Sequence, residues 1–90
     1  MFRQTSLLAY RSLGKDKINI RQKEVLHALE EIFPANNRQV SEHSHIPINV
    51  TTPRMGELVS KGVVEEAFRG TDDKTGRRTI FWQPVNRATD

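Results

Sequence analysis

Apolar residues recur at helical spacing through the first two thirds of the chain, most clearly after Asn19. Five of them fall on one stripe of a helix: Val25, Leu26, Leu29, Ile32 and Phe33. Asn19, followed three residues later by Gln22, has the form of a capping box, and Pro34 ends the helix. We therefore predict a helix over residues 20–33 with this stripe in the core.

The same capping pattern returns soon afterwards in a more polar stretch. Asn36 followed by Gln39 predicts a second helix over residues 37–44. Val40 is its main core residue, and residues 45–47 close it. This second helix is therefore expected to be short.

A third helix has two alternative starting points. Asn49 and Thr52 are both capping residues, and Pro53 fits the first helical position if Thr52 is the cap. The helix runs to about Lys61, where Gly62 supplies a left-handed stop. Its predicted core residues are Met55, Leu58 and Val59.

After the third helix the pattern changes to strand spacing. We predict strands over residues 63–69 and 79–83, joined by a polar loop over residues 70–78 that is rich in turn formers. In the second strand, Trp82 lies on the core-facing side with Ile80, and Phe81 lies on the other side. The elements together predict an α+β fold.

The chain divides into one domain with a segment at each end. Residues 1–17 form an N-terminal segment in which residues 5–13 can make a short extra helix, residues 18–84 form the domain, and residues 85–90 form a loose tail. The architecture is expected to be three core helices and a two-stranded hairpin, with the extra helix preceding them.

Composition narrows the class of protein. The chain of 90 residues has a formal net charge of +3, a pI near 9.7 and no cysteine. A mild basic excess is compatible with a polyanionic partner, and the lack of cysteine suits a reducing compartment. No apolar run approaches the roughly 20 residues that a membrane span needs, so we expect a cytoplasmic protein without a membrane partner.

Catalytic and metal-binding patterns are weak. His43 and His45 are separated by one residue, but no cysteine or acidic cluster completes a ligand set around them. The sequence offers no nucleophile with a fixed base, no glycine loop for phosphate and no carboxylate pair in an evident pocket. We therefore expect neither an enzyme nor a cofactor.

The order helix, short helix, turn, helix and hairpin is typical of a winged helix-turn-helix. The residues from Asn36 to Glu42 and from Ile46 to Glu66 resemble small winged-helix proteins of bacteriophages and prophages and, less closely, MarR-type repressors. The stretch from Thr75 to Arg78 fits the phage group too. The resemblance implies DNA binding in the cytoplasm of a bacterial or phage-infected cell.

Four residues at the start of the third helix are candidate DNA contacts: Asn49, Thr51, Thr52 and Arg54. Arginine can bind guanine through two hydrogen bonds, asparagine can bind adenine in the same way, and threonine can contact phosphate or a thymine methyl. The alternative is that Asn49 or Thr52 only caps the helix and that Arg54 is a solvated surface residue.

Cations elsewhere are candidates for phosphate contact. The predicted loop supplies three of them: Lys74, Arg77 and Arg78. Arg38, near the start of the second helix, could add to the amide groups there in holding a phosphate, or it could be an ordinary surface charge. Asp72 and Asp73 would repel phosphate and are better suited to forming the turn.

The sequence therefore predicts a double-stranded DNA-binding protein, either a transcriptional regulator or a replication or recombination accessory. The third helix would enter the major groove and the basic hairpin would contact the backbone. The alternatives are a protein-interaction module without direct DNA binding and a binder of RNA or single strands. Dimerisation is open, with the extra N-terminal helix as its candidate element.

Overall fold

The computed structural model describes residues 18–85 of the chain. Five elements follow in order: α1 (Ile20–Ile32), α2 (Asn37–Ser44), α3 (Ile48–Ser60), β1 (Val64–Thr71) and β2 (Arg78–Pro84). The two strands pair antiparallel, so the predicted α+β class is confirmed. The helix predicted over residues 5–13 and residues 86–90 of the predicted tail lie outside the described residues.

Both predicted capping boxes are present. The Asn19 side chain accepts a hydrogen bond from the Gln22 amide at 2.8 Å, and the Asn19 amide donates to the Gln22 side chain at 3.0 Å. Asn36 and Gln39 form the same pair of bonds at 2.8 and 3.0 Å. The starts of α1 and α2 are therefore fixed by local side chains, as the sequence indicated.

The predicted start of α3 is wrong in both of its alternatives. The helix begins at Ile48, directly after Pro47, and no side chain caps it. The Pro47 carbonyl instead accepts from the amides of Val50 and Thr51, both at 2.9 Å. Pro53 consequently lies inside the helix, where its missing N–H removes one hydrogen bond.

The core lies between the three helices and the base of the hairpin. Its fully buried apolar side chains include Val25, Leu29, Val40, Met55, Leu58, Val63 and Val64. Phe33 was predicted to belong to this core but is 37% exposed. The reason is that α1 ends at Ile32, and Phe33 has extended backbone angles that turn it out of the helical stripe.

The hairpin is longer than predicted and contains an irregularity. The register shifts between Glu66 and Phe68, so Ala67 forms a bulge in β1. Trp82 packs against the core, whereas Phe81 lies on the opposite face and stacks on Phe68 at 4.6 Å between ring centroids. This division of the two faces agrees with the predicted alternation.

A single residue from the α1–α2 connection joins the sheet. Ala35 pairs antiparallel with Trp82, through N–H···O bonds of 3.1 and 2.8 Å in the two directions. The bridge lies on the side of β2 away from β1. It ties the start of α2 to the hairpin, which positions both parts of the surface described below.

No helix within residues 18–85 has the length and apolar character needed to cross a membrane.

Candidate nucleic-acid interface

One side of α3 faces solvent and carries no charge. At 3.6 residues per turn, five exposed residues fall on one stripe, here called the α3 face: Asn49, Thr52, Pro53, Gly56 and Ser60. The opposite side of the helix is buried through Thr51, Met55 and Leu58. The core residues thus fix which side of α3 a ligand can reach.

Thr51 cannot contact DNA, contrary to the prediction from sequence. Its relative exposure is 0%, and its hydroxyl lies 3.1 Å from the carbonyl oxygens of both Ile46 and Pro47. These bonds close the first turn of α3, where a capping side chain is missing. The role of Thr51 is therefore structural.

Asn49 and Thr52 are the two hydrogen-bonding side chains near the start of the α3 face. Asn49 does not cap the helix, and no side-chain hydrogen bond to it occurs among residues 18–85. The Thr52 hydroxyl accepts from the Asn37 amide at 3.4 Å, which leaves its own hydrogen free to donate. Both side chains can therefore donate to a ligand that approaches this face.

Arg54 lies on the flank of α3 and forms an ion pair. Its Nε and Nη2 donate to the two Glu57 oxygens at 2.8 and 2.6 Å. Gln22 donates to Glu57 as well, at 2.6 Å. The hydrogen bonds from Arg54, and then from Gln22, lower the pKa of Glu57 to about 2. The pair was not predicted from the sequence, although the spacing of three residues within a helix is a signal for one.

Arg38 forms ion pairs with acidic residues of the hairpin and of its own helix. Its Nε donates to Asp72 at 2.9 Å and its Nη2 donates to the same carboxylate at 2.9 Å. Glu42 lies 2.7 Å from its Nη1, and Asp73 lies 3.3 Å from its Nη2. Neither alternative from the sequence fits, because Arg38 is neither available to phosphate nor an ordinary solvated charge.

Asp72 organises the loop between the strands, here called the hairpin loop (residues 72–77). Its side chain, only 4% exposed, also accepts from the Asn36 side chain at 3.0 Å and from the Thr75 amide at 3.1 Å. These bonds, led by those from Arg38 and then Asn36, hold the pKa of Asp72 well below its usual range. Asp72 serves the turn, as the sequence suggested, and it also fastens the turn to α2.

The hairpin cations remain exposed. Lys74 is 67% exposed, with its Nζ 3.9 Å from Glu42. Arg77 and Arg78 are exposed as well, and neither forms an ion pair with any residue of the described part of the chain. Two guanidinium groups are therefore available to an anion.

The start of α2 connects the α3 face with the hairpin loop. Asn37 contacts Thr52 on the α3 face, and the next residue, Arg38, binds Asp72 in the loop. Two adjacent residues thus touch both parts, so the α3 face and the hairpin form one continuous surface. The sequence could not reveal this junction, because Arg38 and Asp72 are 34 positions apart.

The basic excess of the chain does not come from the described residues. Residues 18–85 contain nine lysines and arginines and nine acidic residues, whereas residues 1–17 contain four cations and one acid. The electrostatic potential of this surface therefore depends on where its charges lie. The α3 face has none, and the acidic residues beside it, Glu57 and Asp72, are already paired with arginines.

The histidines form a separate groove between α1 and the end of α2. His27 and His43 lie 3.2 and 2.8 Å from the two oxygens of Glu31, and His45 lines the same groove. Within residues 18–85, no group of three potential ligand residues is placed to hold a metal ion. The groove is not part of the surface described above.

No protein-family model matches the sequence, and comparison with curated proteins finds no significant match. Function is therefore inferred from the geometry and chemistry of this surface. Its distinguishing features are an uncharged helix face, a fixed hairpin loop and two unpaired arginines.

Proposed function

We propose that the chain is a winged helix-turn-helix domain that binds double-stranded DNA, with α3 in the major groove and the hairpin along the flanking backbone. One observation carries this proposal. The α3 face has no acidic residue and continues through the start of α2 into a hairpin with two exposed arginines that lack acidic partners. A helix that inserts into the groove needs such a face beside backbone-binding cations.

The arrangement of the elements supports the winged-helix assignment. α2 and α3 are joined by a short turn, and the hairpin directly follows α3. The Ala35 bridge adds a third, minimal strand between α1 and α2 to the sheet. The hairpin is therefore held by Ala35 along β2 and by Arg38 at its loop, and can act as a rigid wing.

Each candidate residue receives a role. Asn49 and Thr52 contact base edges, since they occupy the exposed start of α3. Lys74, Arg77 and Arg78 neutralise phosphates. Arg54, on the flank, exchanges Glu57 for a phosphate on binding, because a partly exposed ion pair within one helix contributes little to stability. Arg38 and Thr51 have structural roles instead.

In the cell, such a domain would act in the cytoplasm as a transcriptional regulator or as an accessory in replication or recombination, in the manner of small phage and prophage proteins. These roles need the same physical event, recognition of a duplex site. Binding to duplex DNA is therefore the property to test first.

The test is a salt titration of the full chain with a fluorescent duplex of about 20 base pairs, or two helical turns. A double variant, Arg77→Ala/Arg78→Ala, should weaken binding at least several-fold and flatten the salt slope by nearly two, because about 0.9 counterion is released per phosphate contact. Arg21→Ala/Lys23→Ala on α1 removes the same charge and serves as the matched control. Equal effects in both variants, or tighter binding to RNA or single strands, would contradict the proposal.

A second candidate function is a protein-interaction module, favoured by one observation. Phe68 is 48% exposed and stacks on Phe81 on the outer face of the hairpin, where an apolar partner or a second copy could pack. This candidate predicts no duplex binding even at low salt. It also predicts that Phe68→Ser changes the association state measured by sedimentation equilibrium.

A further inference from the structure

The α3 face carries an unusual set of side chains for an exposed helix surface. Charged residues make up 28% of the chain, yet the five exposed residues of this face have no charge. Exposed helix faces ordinarily carry charged residues. A face without them is better suited to close contact with another surface than to contact with water.

Each base pair presents its own pattern in the major groove, and this pattern can be compared with the α3 face. Guanine offers two acceptors, which arginine or lysine reads, and cytosine offers a donor, which a carboxylate reads. The α3 face has neither type of side chain. It therefore lacks the groups that recognise a G·C pair most strongly.

Adenine and thymine match the groups that are present. Adenine offers an acceptor and a donor side by side, which one asparagine amide can satisfy, and the Asn49 amide is exposed and has no hydrogen-bond partner in residues 18–85. Thymine offers an acceptor and a methyl group. Thr52 has both a hydroxyl hydrogen that Asn37 leaves free and a methyl group to pack there.

The surroundings of these two residues fit the same pair. Ile48, 47% exposed beside Asn49, and Pro53 beside Thr52 add apolar surface of the kind that packs on thymine methyl groups. Gly56 continues the face, and nothing lies within 4 Å of the position its Cβ would occupy. Nothing from residues 18–85 thus blocks a close approach of the helix at that point.

Arg54, the nearest cation, does not add a group that reads guanine to the α3 face. It is on the flank of α3 and pairs with Glu57, so a guanidinium released from that pair would meet the backbone first. We infer that the α3 face reads A·T base pairs through the major groove, with Asn49 and Thr52 as the specificity-determining residues. This inference rests on the proposed duplex-binding function.

The experiment compares three duplexes of equal length in the same salt: A·T-rich, G·C-rich, and one with inosine·cytosine pairs in place of A·T. An inosine·cytosine pair has no guanine amino group, so its minor groove resembles that of A·T while its major groove resembles that of G·C. We expect the A·T-rich duplex to bind roughly ten-fold more tightly than both others. Replacing thymine by uracil should remove part of that preference.

Variants locate the preference on α3. Asn49→Ala should reduce the preference for A·T several-fold. Thr52→Val keeps the methyl group and loses the hydroxyl, whereas Thr52→Ser does the reverse, so of the two only Thr52→Ser should become less sensitive to uracil. Both positions are exposed, and thermal melting of each variant checks that folding is unchanged.

The possible outcomes distinguish a failure of A·T recognition from a failure of the proposed duplex binding. Equal binding of the inosine and A·T duplexes would overturn the inference, because the preference would then come from the minor groove. A preference for G·C, or none, would overturn it as well. Absence of binding to every duplex would instead contradict the proposed function itself.

Discussion

Two hydrogen-bond networks in this molecule have the same parts and different consequences. In each, an amide side chain from a capping box donates to a carboxylate, and that carboxylate binds an arginine through two donors. In the first network, Asn36 and Arg38 both donate to Asp72. In the second, Gln22 and Arg54 both donate to Glu57. The chemistry alone therefore does not tell the two arginines apart.

The difference lies in burial and in separation along the chain. Asp72 is 4% exposed and links a loop to a helix 34 residues away, whereas Glu57 is 41% exposed and binds an arginine three residues away. Breaking a pair whose carboxylate is buried leaves an unsatisfied charge, but a partly exposed pair within one helix exchanges more readily with solvent. Arg38 is therefore part of the fold, and Arg54 is available for exchange.

The largest expected effect is a difference in thermal stability between variants of the two networks. Asp72→Ala should lower the melting temperature by more than about 10 °C, because Arg38, Asn36 and the hairpin loop all lose a buried partner. Glu57→Ala should lower it by no more than a few degrees. Thermal unfolding followed by circular dichroism measures both, and similar losses in the two variants would contradict the comparison.

The stability of the fold should also depend on pH through the buried carboxylate of Asp72. The pKa of Asp72 is lowered by folding, so the stabilisation it provides is present above its ordinary value of about 3.9 and is lost as the pH falls below that. The melting temperature of the native chain should therefore decline between about pH 4 and pH 2. Asp72→Asn should decline less over this range, and parallel curves for the two proteins would rule out this role.

Replacing Glu57 should show, through duplex affinity, that Arg54 is available to a ligand. Glu57→Gln frees Arg54 and removes a negative charge beside the α3 face, so duplex affinity should rise several-fold at low salt. Arg54→Ala should lower affinity for all sequences by a similar factor, with base preference unchanged. Fluorescence anisotropy against two unrelated duplexes tests this, and a changed base preference would show that Arg54 reads a base.

The smallest expected effect concerns the capping residues. Gln39→Ala removes a capping bond alone, for a cost of about 0.5 kcal/mol. Gln22→Ala removes the equivalent bond and also the donor to Glu57, so about 1 kcal/mol is expected. Urea denaturation of the two variants makes the comparison, and a greater loss for Gln39 would show that the support of Glu57 is negligible.

The local rules of the sequence predicted most of the fold. Both capping boxes, the stop at Gly62 and the opposite faces of Phe81 and Trp82 follow from spacing within a few residues. The start of α3 could not be predicted in the same way. Thr51 looks like an exposed polar residue in the sequence, and only the packing of α3 buries its hydroxyl against the carbonyls before the helix.

The candidate site was less predictable than the fold. The exposed cations Lys74, Arg77 and Arg78 were found because a polar loop must be on the surface. Arg38 was misjudged because its partner Asp72 comes from a distant part of the chain. Charged residues look alike in a sequence, and tertiary contacts decide which of them a ligand can reach.

The bulge at Ala67 has a consequence for how copies of this chain behave together. β1 pairs with β2 on one side only, so among the described residues its other edge has unpaired amide and carbonyl groups that could template a strand from another copy. The bulge interrupts that edge, and the charged side chains of Glu65, Glu66 and Arg69 surround it. Copies of the chain that lie side by side would therefore resist joining into one continuous sheet.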